Sequence, residues 1–307
     1  MPPPDRKLTL TVVTPSLNHG AFIGAAVDSA QLSDAYGFEH IVVDADSTDE
    51  THAVLRARPR LNLVIRPELD SHQALNHALE LAQGDVIGFL NADDRYEPGV
   101  LDKVMAHFQA NPATMSLCGV IRVFTEENGQ ESLVELFGHC GPDDMPLELT
   151  FGNPGFNSWF FRRSLLQQLG GFREQYRFGA DRDLLLRAAA IAPPVALPAL
   201  TYHYRMHQGS RTMDPRGTNR EAMIRDHLAM IADEMDEVWT GNPKMRLMLT
   251  RWDALERFKL FVRAVRFGIG SIPATAMGTP WRHLPAGLLL RRRWLKILRS
   301  GGQVRDV

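Results

Sequence analysis

The chain has 307 residues, of which 44% are hydrophobic and 23% charged, proportions that exclude a disordered protein and indicate an α/β domain with an appendage. Its two cysteines, Cys118 and Cys140, exclude a disulfide framework and lack metal-site spacing, as is typical of a reducing compartment. The sequence shows neither a signal peptide nor an uninterrupted apolar stretch of 18 residues. We therefore expect a cytoplasmic protein without a membrane span.

The charge is distributed unevenly along the chain. Residues 244–307 carry 14 Lys and Arg against 3 Asp and Glu, whereas residues 1–243 carry 20 against 33. An acidic N-terminal region followed by a basic C-terminal region indicates a domain that contains the functional site, joined to a segment that binds an anionic surface.

Strands and helices alternate over the first 110 residues. The sequence predicts strands at 8–14, 40–45, 61–66 and 85–90, and helices at 21–32, 47–58, 71–84 and 99–110. Ser47 and Glu50 form a capping-box pattern for the second helix, and Gly84 is expected to close the third. This alternation predicts a parallel, doubly wound sheet whose strands share one carboxyl edge.

Polar residues follow the ends of these predicted strands. They are Thr14, Asp44, Asp46, Arg66, Asp93 and Asp94. Because the carboxyl ends of parallel strands meet at one edge, we expect these side chains to face a common cleft. Any single one is equally well explained as a helix cap or turn residue, but adjacent acids require a cation or a proton.

One alternative comes from Asp44, Asp46 and Thr48. They form a D-x-D-x-T pattern after an apolar strand, which resembles the nucleophile loop of haloacid-dehalogenase-type phosphatases. That family also uses a lysine upstream of a later acidic motif. The only lysine in residues 8–243 is Lys103, which follows NADD. The pattern disfavours a phosphatase and leaves it as an alternative.

Phosphate-binding glycine motifs are missing from the sequence. The turn after the first strand reads TPSLNHGAFIG, which is not G-x-G-x-x-G, and no P-loop lysine motif occurs elsewhere. If the chain binds a nucleoside diphosphate, a metal held by acids is the expected means of neutralising it.

Three stretches follow one another in an order and spacing that a known family shares: VVTPSLN, VVDADSTDET and RPELDSHQALNHALELAQGDVIGFLNADD. They resemble the nucleotide-sugar-binding half of family 2 glycosyltransferases, which have the GT-A fold. NPGFNSWFFRRSLLQQLGGFRE resembles the family's acceptor-side strand and helix, FGADRDLLLRAA its catalytic-base segment, and YRMHQGSRT the segment that closes over the diphosphate. The resemblance covers about residues 8–213.

The resemblance implies an α/β fold of GT-A type, with a doubly wound, mostly parallel sheet and a C-terminal helical extension. The GT-A domain would occupy residues 1–215. Its nucleotide-sugar half would cover about 8–115 and its acceptor half about 116–215. Residues 216–307 would form the helical, basic extension.

The resemblance also implies a set of donor-binding residues. Thr14 and Pro15 would line the nucleoside pocket, with Asn18 in the same loop, while Asp44 and Asp46 would contact the base or ribose and Arg66 would lie beside the base. Asp70, Gln73 and Asn76 would lie near the sugar and phosphates. The set is completed by Asn91, Ala92 and Asp94 in the loop after the fourth strand and by Arg211 in the closing segment.

A divalent metal, Mn²⁺ or Mg²⁺, is implied in the same way. The family's D-x-D triplet corresponds to Asn91, Ala92 and Asp93, so Asp93 is the implied metal ligand and Asn91 replaces the first acid. His207, in R-M-H-Q-G-S-R, is implied as a second ligand or as a diphosphate contact.

Asp181 is the implied catalytic base. In G-A-D-R-D it occupies the Asp of the family's E-D pair, while Ala180 replaces the Glu. A purely structural interpretation is that Asp181 and Asp183 begin a helix, where acids favour the N-terminal dipole.

The function implied is inverting transfer of a sugar from a nucleoside-diphosphate sugar to a hydroxyl of a glycan or lipid-linked acceptor, in cell-surface polysaccharide synthesis. Because Asn91 and Ala180 depart from the family's pattern, a nucleotide-sugar or glycan-binding protein without turnover is the alternative.

Residues 137–160 are rich in Gly and Pro before an aromatic run, which is typical of an acceptor-binding loop followed by a strand. Trp159 and Phe160 are expected in the core rather than stacked on a sugar. Residues 219–239 have helical spacing and are expected to pack on the domain or on another subunit, so a homo-oligomer is left open.

Two stretches of the tail, 252–267 and 288–300, have the basic and apolar sides of helices that lie in an anionic membrane interface. In the second, the basic side consists of Arg292, Arg293, Lys296 and Arg299. A solvated basic face over an ordinary core explains the pattern equally well, so peripheral attachment to the inner face of the membrane is left open. Nucleic-acid binding is not expected, because the chain has no RNA-binding or zinc motif.

Overall fold

The computed structural model describes residues 7–138, 145–207, 218–267, 283–289 and 291. The strands are β1 (Thr9–Ser16), β2 (Gly37–Asp44), β3 (Leu61–Ile65), β4 (Val86–Phe89), β5 (Arg95–Tyr96), β6 (Ser116–Glu127), β7 (Gln130–Phe137), β8 (Trp159–Arg162) and β9 (Val195–Met206). The helices are α1 (Gly20–Ser29), α2 (Thr51–Arg56), α3 (Ser71–Leu81), α4 (Val100–Ala110), α5 (Met145–Phe151), α6 (Arg163–Leu169), α7 (Ala180–Ile191), α8 (Thr218–Asp233) and α9 (Pro243–Phe267), with a π-helical turn (Glu234–Val238) after α8.

The strands form one mixed sheet in the order β3-β2-β1-β4-β8-β6-β9-β5, and β7 pairs with β6. Strands β1 to β4 are parallel, as helical crossovers between them require. Strand β8 runs antiparallel between β4 and β6, and β6 is parallel to β9. The carboxyl ends of the first four strands therefore lie along one edge, as the sequence predicts.

The start of α2 differs from the sequence prediction. The helix begins at Thr51, and its N-cap residue Glu50 makes no side-chain cap. The hydroxyl of Ser47 donates instead to the Asp44 carboxylate at 2.7 Å. The predicted capping box is wrong because a buried carboxylate at the end of β2 takes the hydroxyl that the cap required.

The end of α3 also differs from the prediction. The helix ends at Leu81, three residues before Gly84. A Cβ at Gly84 would lie 2.5 Å from Thr11 Oγ1, which accepts a hydrogen bond from the Gly84 N–H at 2.9 Å. Glycine is needed there for a close approach to β1, and not as the helix cap.

Two hydrophobic clusters cover the two faces of the sheet, because successive side chains of a strand point to opposite sides. Val12 packs with residues of α1 and α4, whereas Val13 packs with residues of α3, α7 and α9. Trp159 and Phe160 are 3% and 0% exposed, so the prediction that both lie in the core is confirmed.

The C-terminal helices belong to the same core as the sheet. Trp239, Leu249, Trp252 and Leu255 lie in the cluster that contains α7, so this region packs on the domain. The apolar side of α9 around Trp252 is thereby covered by protein, and the membrane-interface interpretation is wrong for this part of 252–267. Most of 288–300 lies outside the described residues. No helix in the described part of the chain combines the length and hydropathy needed to cross a bilayer.

Candidate functional site

A carboxylate and an imidazole meet at the edge where the parallel strands end. Asp93 lies in the loop after β4, and its Oδ2 is 3.0 Å from Nε2 of His207, the residue that follows β9. Both side chains are partly exposed. The sequence implied these two residues as metal ligands from stretches more than 100 positions apart, and the fold brings them into direct contact.

Asp94 holds the loop and the end of β9 together. Its carboxylate is buried and accepts hydrogen bonds from Asn91 Nδ2 at 3.0 Å, Tyr202 Oη at 2.9 Å and the Arg205 N–H at 2.7 Å. Burial, together with the charge of Asp93, raises the pKa of Asp94 to about 7, although these hydrogen bonds oppose the rise. The buried carboxylate therefore stabilises the loop, and its contact with the sugar donor stays a prediction.

Arg205 supports the Asp93–His207 pair from behind. Its guanidinium lies between the rings of Phe22 and Phe124, 5.2 and 4.8 Å from their centroids, and pairs with Glu126. Its Nε donates to the main-chain oxygen of Asp93 at 3.1 Å. Sequence patterns gave no signal for this arrangement, because the two rings come from α1 and β6.

A cavity of about 170 Å³ opens beside this arginine. It is lined by Phe22, Glu126, Asn128, Gly129, Arg205, Met206 and His207. The imidazole of His207 also contacts the Phe22 ring, with 4.9 Å between centroids. The cavity therefore places open space directly next to one member of the candidate metal pair.

Asp44 is enclosed at the end of β2. Its carboxylate is 0% exposed and accepts hydrogen bonds at 2.7 Å from the Ser47 N–H, the Ser47 hydroxyl and Nε2 of His52. Burial alone would raise its pKa, but the hydrogen bonds outweigh burial and hold the pKa below its usual value. An enclosed carboxylate cannot attack phosphorus, which argues against the phosphatase alternative. Direct contact of this carboxylate with a base or ribose stays a prediction.

The loops after β1 and β2 are tied to each other. The Asn18 N–H donates to Ser47 Oγ at 2.7 Å, and Asn18 Oδ1 accepts from the Thr48 N–H at 2.9 Å. Asn18 and Asp46 have left-handed backbone conformations, with φ of 55° and 63°, which Asn and Asp tolerate better than most residues. Both residues are exposed, so their side chains are accessible to a ligand.

The remaining strand-end candidates differ in accessibility. Arg66 is exposed and follows β3, where its N–H donates to the Asp44 main-chain oxygen at 2.8 Å. Pro15 is half-buried near the end of β1. Thr14 is fully buried and its hydroxyl lies 2.9 Å from His40 Nε2, and its place in the nucleoside pocket stays a prediction. Ala92 is buried as well.

Three residues of helix α3 that the sequence predicts to bind the sugar donor make contacts within the protein. Asp70 and Gln73 form a capping box at its start. Gln73 Nε2 and Asn76 Nδ2 donate to the Glu174 carboxylate at 3.2 and 3.1 Å, and Asn76 also bonds the backbone of Phe172. These bonds fasten α3 to the segment before α7, and contact of the three side chains with a donor stays a prediction.

Asp181 lies in the first turn of α7, in the acceptor half of the chain. Its side chain is partly exposed, and Oδ1 accepts from the Arg182 N–H at 2.7 Å. Asp183 is 0% exposed and pairs with Arg187 at 2.7 Å. Of the two acids that sequence places at the start of this helix, only Asp181 is accessible to a substrate. Arg211 lies outside the described residues.

The sequence of the chain matches a family of known proteins. The model of glycosyl transferase family 2 matches residues 11–170, more than half of the chain. The chain belongs to this family. The PGL/p-HBAD biosynthesis glycosyltransferase of Mycobacterium tuberculosis (strain H37Rv) is 30% identical over 204 residues, which cover 64% of this chain and 73% of the relative. An uncharacterized glycosyltransferase of Nostoc sp. is 22% identical and covers 70% of each chain.

Solved structures confirm the fold. S. aureus TarS 1–349 in complex with UDP-GlcNAc superposes with a TM-score of 0.64 at 18% identity, covering 96% of this chain and 92% of that one. The mannosyltransferase PcManGT from Pyrobaculum calidifontis, in complex with GDP-Man and Mn²⁺, has a TM-score of 0.51 at 20% identity and covers 97% and 86%. At these identities the likeness shows the fold alone, and it confirms the predicted GT-A type α/β architecture of this family 2 glycosyltransferase.

Proposed function

We propose that the chain is an inverting, metal-dependent glycosyltransferase that moves a sugar from a nucleoside-diphosphate sugar to a hydroxyl of a glycan or lipid-linked acceptor. The contact between Asp93 and His207, at the carboxyl edge of the parallel strands, carries the proposal. In open α/β sheets this edge is where ligands bind. The UDP-GlcNAc and GDP-Man complexes of the structural relatives support a nucleotide-sugar donor.

The residues at this edge fit a divalent metal. Asp93 and His207 offer a carboxylate oxygen and an imidazole nitrogen, donors that suit Mn²⁺. Within the described ranges no cluster of three or more His, Cys, Asp or Glu converges on one point. A metal held by these two residues would take its other ligands from donor phosphates and water, as Mg²⁺ commonly does. When bound, such a metal neutralises the charge of the departing diphosphate.

Asp181 is proposed as the base. It accepts the proton of the acceptor hydroxyl as the oxygen attacks the anomeric carbon, opposite the diphosphate, which inverts the configuration. A carboxylate is a weak base, but the hydroxyl becomes acidic only as its bond to carbon forms. The accessible position of Asp181 at the start of α7 supports this role, whereas Asp183 is enclosed.

The acceptor and the cellular setting also belong to the proposal. One relative is named for PGL/p-HBAD biosynthesis, and the acceptor class of this chain is proposed from the sequence. Cell-surface polysaccharide synthesis, and attachment of the tail to an anionic membrane, are proposed from the sequence. The basic stretch on which attachment depends lies mostly outside the described residues.

Donor binding tests the proposal. We would measure binding of UDP-, GDP-, dTDP- and CMP-sugars by calorimetry, with and without Mn²⁺, in the wild type, in Asp93→Ala and in Asp236→Ala, an exposed acid on the π-helical turn, as control. We expect one donor to bind with Mn²⁺ and Asp93→Ala alone to lose this binding. Release of nucleoside diphosphate then separates a transferase from a binding protein without turnover, and binding of no donor by the wild type refutes the proposal.

A further inference from the structure

Residues 173–183, which lead into α7 and form its first turn, are held by acids of the C-terminal helices. Four of them contact this segment from α8 and the π-helical turn. Asp226 Oδ2 accepts from the Phe178 N–H at 2.7 Å, Asp233 accepts from the Tyr176 hydroxyl, Glu237 pairs with Arg173 at 2.6 Å, and Glu234 lies beside Asp183. Because Asp181 lies within this segment, its position depends on residues more than 40 positions further along the chain.

Asp226 anchors the residue that precedes the N-cap of α7. The N-cap residue Gly179 makes no side-chain cap of its own. Asp226 accepts the N–H of Phe178, immediately before this N-cap, in a charge-assisted hydrogen bond. His227 and Met230 lie against Gly179, where an added Cβ would be 3.7 and 3.8 Å from them. Helix α8 therefore holds the chain at the N-cap of α7, two residues before Asp181.

Arg182 is fixed on the other side of Asp181. Its guanidinium donates to the main-chain oxygens at the end of α5, those of Leu149, Thr150 and Gly152, at 2.8–3.0 Å. It also lies over the ring of Trp252 in α9, 5.1 Å from the centroid. The residue next to Asp181 thus joins α7 both to the end of α5 and to the C-terminal helices.

We infer that the C-terminal helices position the catalytic base, with Asp226 as the main positioning residue, so that the catalytic unit continues through α8, the π-helical turn and α9 and does not end near residue 215. The inference rests on the proposed role of Asp181. A displacement of about 1 Å at a reacting group costs on the order of 100-fold in rate. Donor binding is expected to stay intact, because the Asp93–His207 pair draws on other contacts.

The test uses the full chain and compares Asp226→Ala, Asp226→Asn and the control Asp236→Ala. Hydrogen–deuterium exchange reports the amides of residues 173–183, and release of nucleoside diphosphate from the sugar panel reports kcat. In Asp226→Ala we expect exchange of these amides to quicken about 10-fold or more and kcat to fall about 10- to 100-fold, with the donor Kd unchanged. Asp226→Asn keeps an oxygen that accepts the Phe178 N–H, so it should recover most of kcat.

The outcomes separate the inference from the proposed function. Wild-type kcat in Asp226→Ala, or equal losses of kcat in Asp226→Asn and Asp226→Ala, overturns the inference and leaves the proposed function standing. If the wild type releases no nucleoside diphosphate from any sugar, the proposed function has failed and the inference falls with it. Should Asp226→Ala not fold, Glu237→Gln breaks only the exposed pair with Arg173, and an unchanged kcat in that variant counts against the inference.

Discussion

Two buried acids lie together where α7 meets the π-helical turn, and we expect them to share a proton, which would make stability depend on pH. Asp183 and Glu234 are both 0% exposed. Arg187 pairs with Asp183 at 2.7 Å, and Trp239 Nε1 donates to Glu234 Oε2 at 2.9 Å. Burial, reinforced by the charge of Asp183, raises the pKa of Glu234 to about 8 from a usual 4.5. Glu234 is therefore neutral at neutral pH and able to donate to Asp183.

The direction of the effect follows from the raised pKa. The folded chain holds the Glu234 proton more tightly than the unfolded chain, so the stabilisation is complete below about pH 4.5 and is lost as the pH rises to about 8. Each pH unit between the two pKa values corresponds to about 1.4 kcal/mol, which sets a ceiling of about 5 kcal/mol. The pKa of about 8 already includes the opposing effect of Arg187, so we expect a loss of up to about 5 kcal/mol in the free energy of unfolding.

The perturbation that tests this is Glu234→Gln. The amide still accepts from Trp239 and can donate to Asp183 without a titrating proton, so the variant should lose the part of the pH dependence that Glu234 contributes and be more stable than the wild type at pH 9. Urea denaturation at pH 5–9 measures both proteins, and the contribution of Asp94, whose pKa is about 7, cancels in their difference. Glu237→Gln, an exposed acid of the same turn, is the control and should keep the wild-type slope. Parallel pH profiles for the wild type and Glu234→Gln would refute the shared proton.

Two further substitutions test the site. Asp181→Asn should keep donor affinity and lower kcat on the order of 10²- to 10⁴-fold, because the proton acceptor is removed; steady-state kinetics with unchanged kcat would exclude Asp181 as the base. Ser47→Ala removes one of the hydrogen bonds to the buried Asp44 carboxylate and leaves the Asn18 N–H without its partner, so it should cost about 1–3 kcal/mol in urea denaturation. Thr48→Ala, at an exposed hydroxyl, is its control, and equal losses in the two variants would contradict the role assigned to Ser47.

The alternation of strands and helices in the first 110 residues is a local property, so the sequence alone predicted β1 to β4, their parallel order and their common edge. Motif order likewise placed Asp93, His207 and Asp181 in the roles proposed here. Helix ends were less predictable, because they depend on single hydrogen bonds: Ser47 bonds Asp44 and caps no helix, and Gly84 meets β1.

Burial and long-range partners were decided only by the tertiary structure. Sequence assigned Asp44 and Asp94 to the donor, but both are enclosed, Asp94 by groups of β9 more than 100 positions away. The extension was expected to pack on the domain or on another subunit, with a membrane-binding face left open, and in the structure it shares the core of α7 and holds the segment around Asp181. A sequence pattern reports which side of a helix is apolar. What covers that side, and which acids remain accessible, depends on the elements that fold against it.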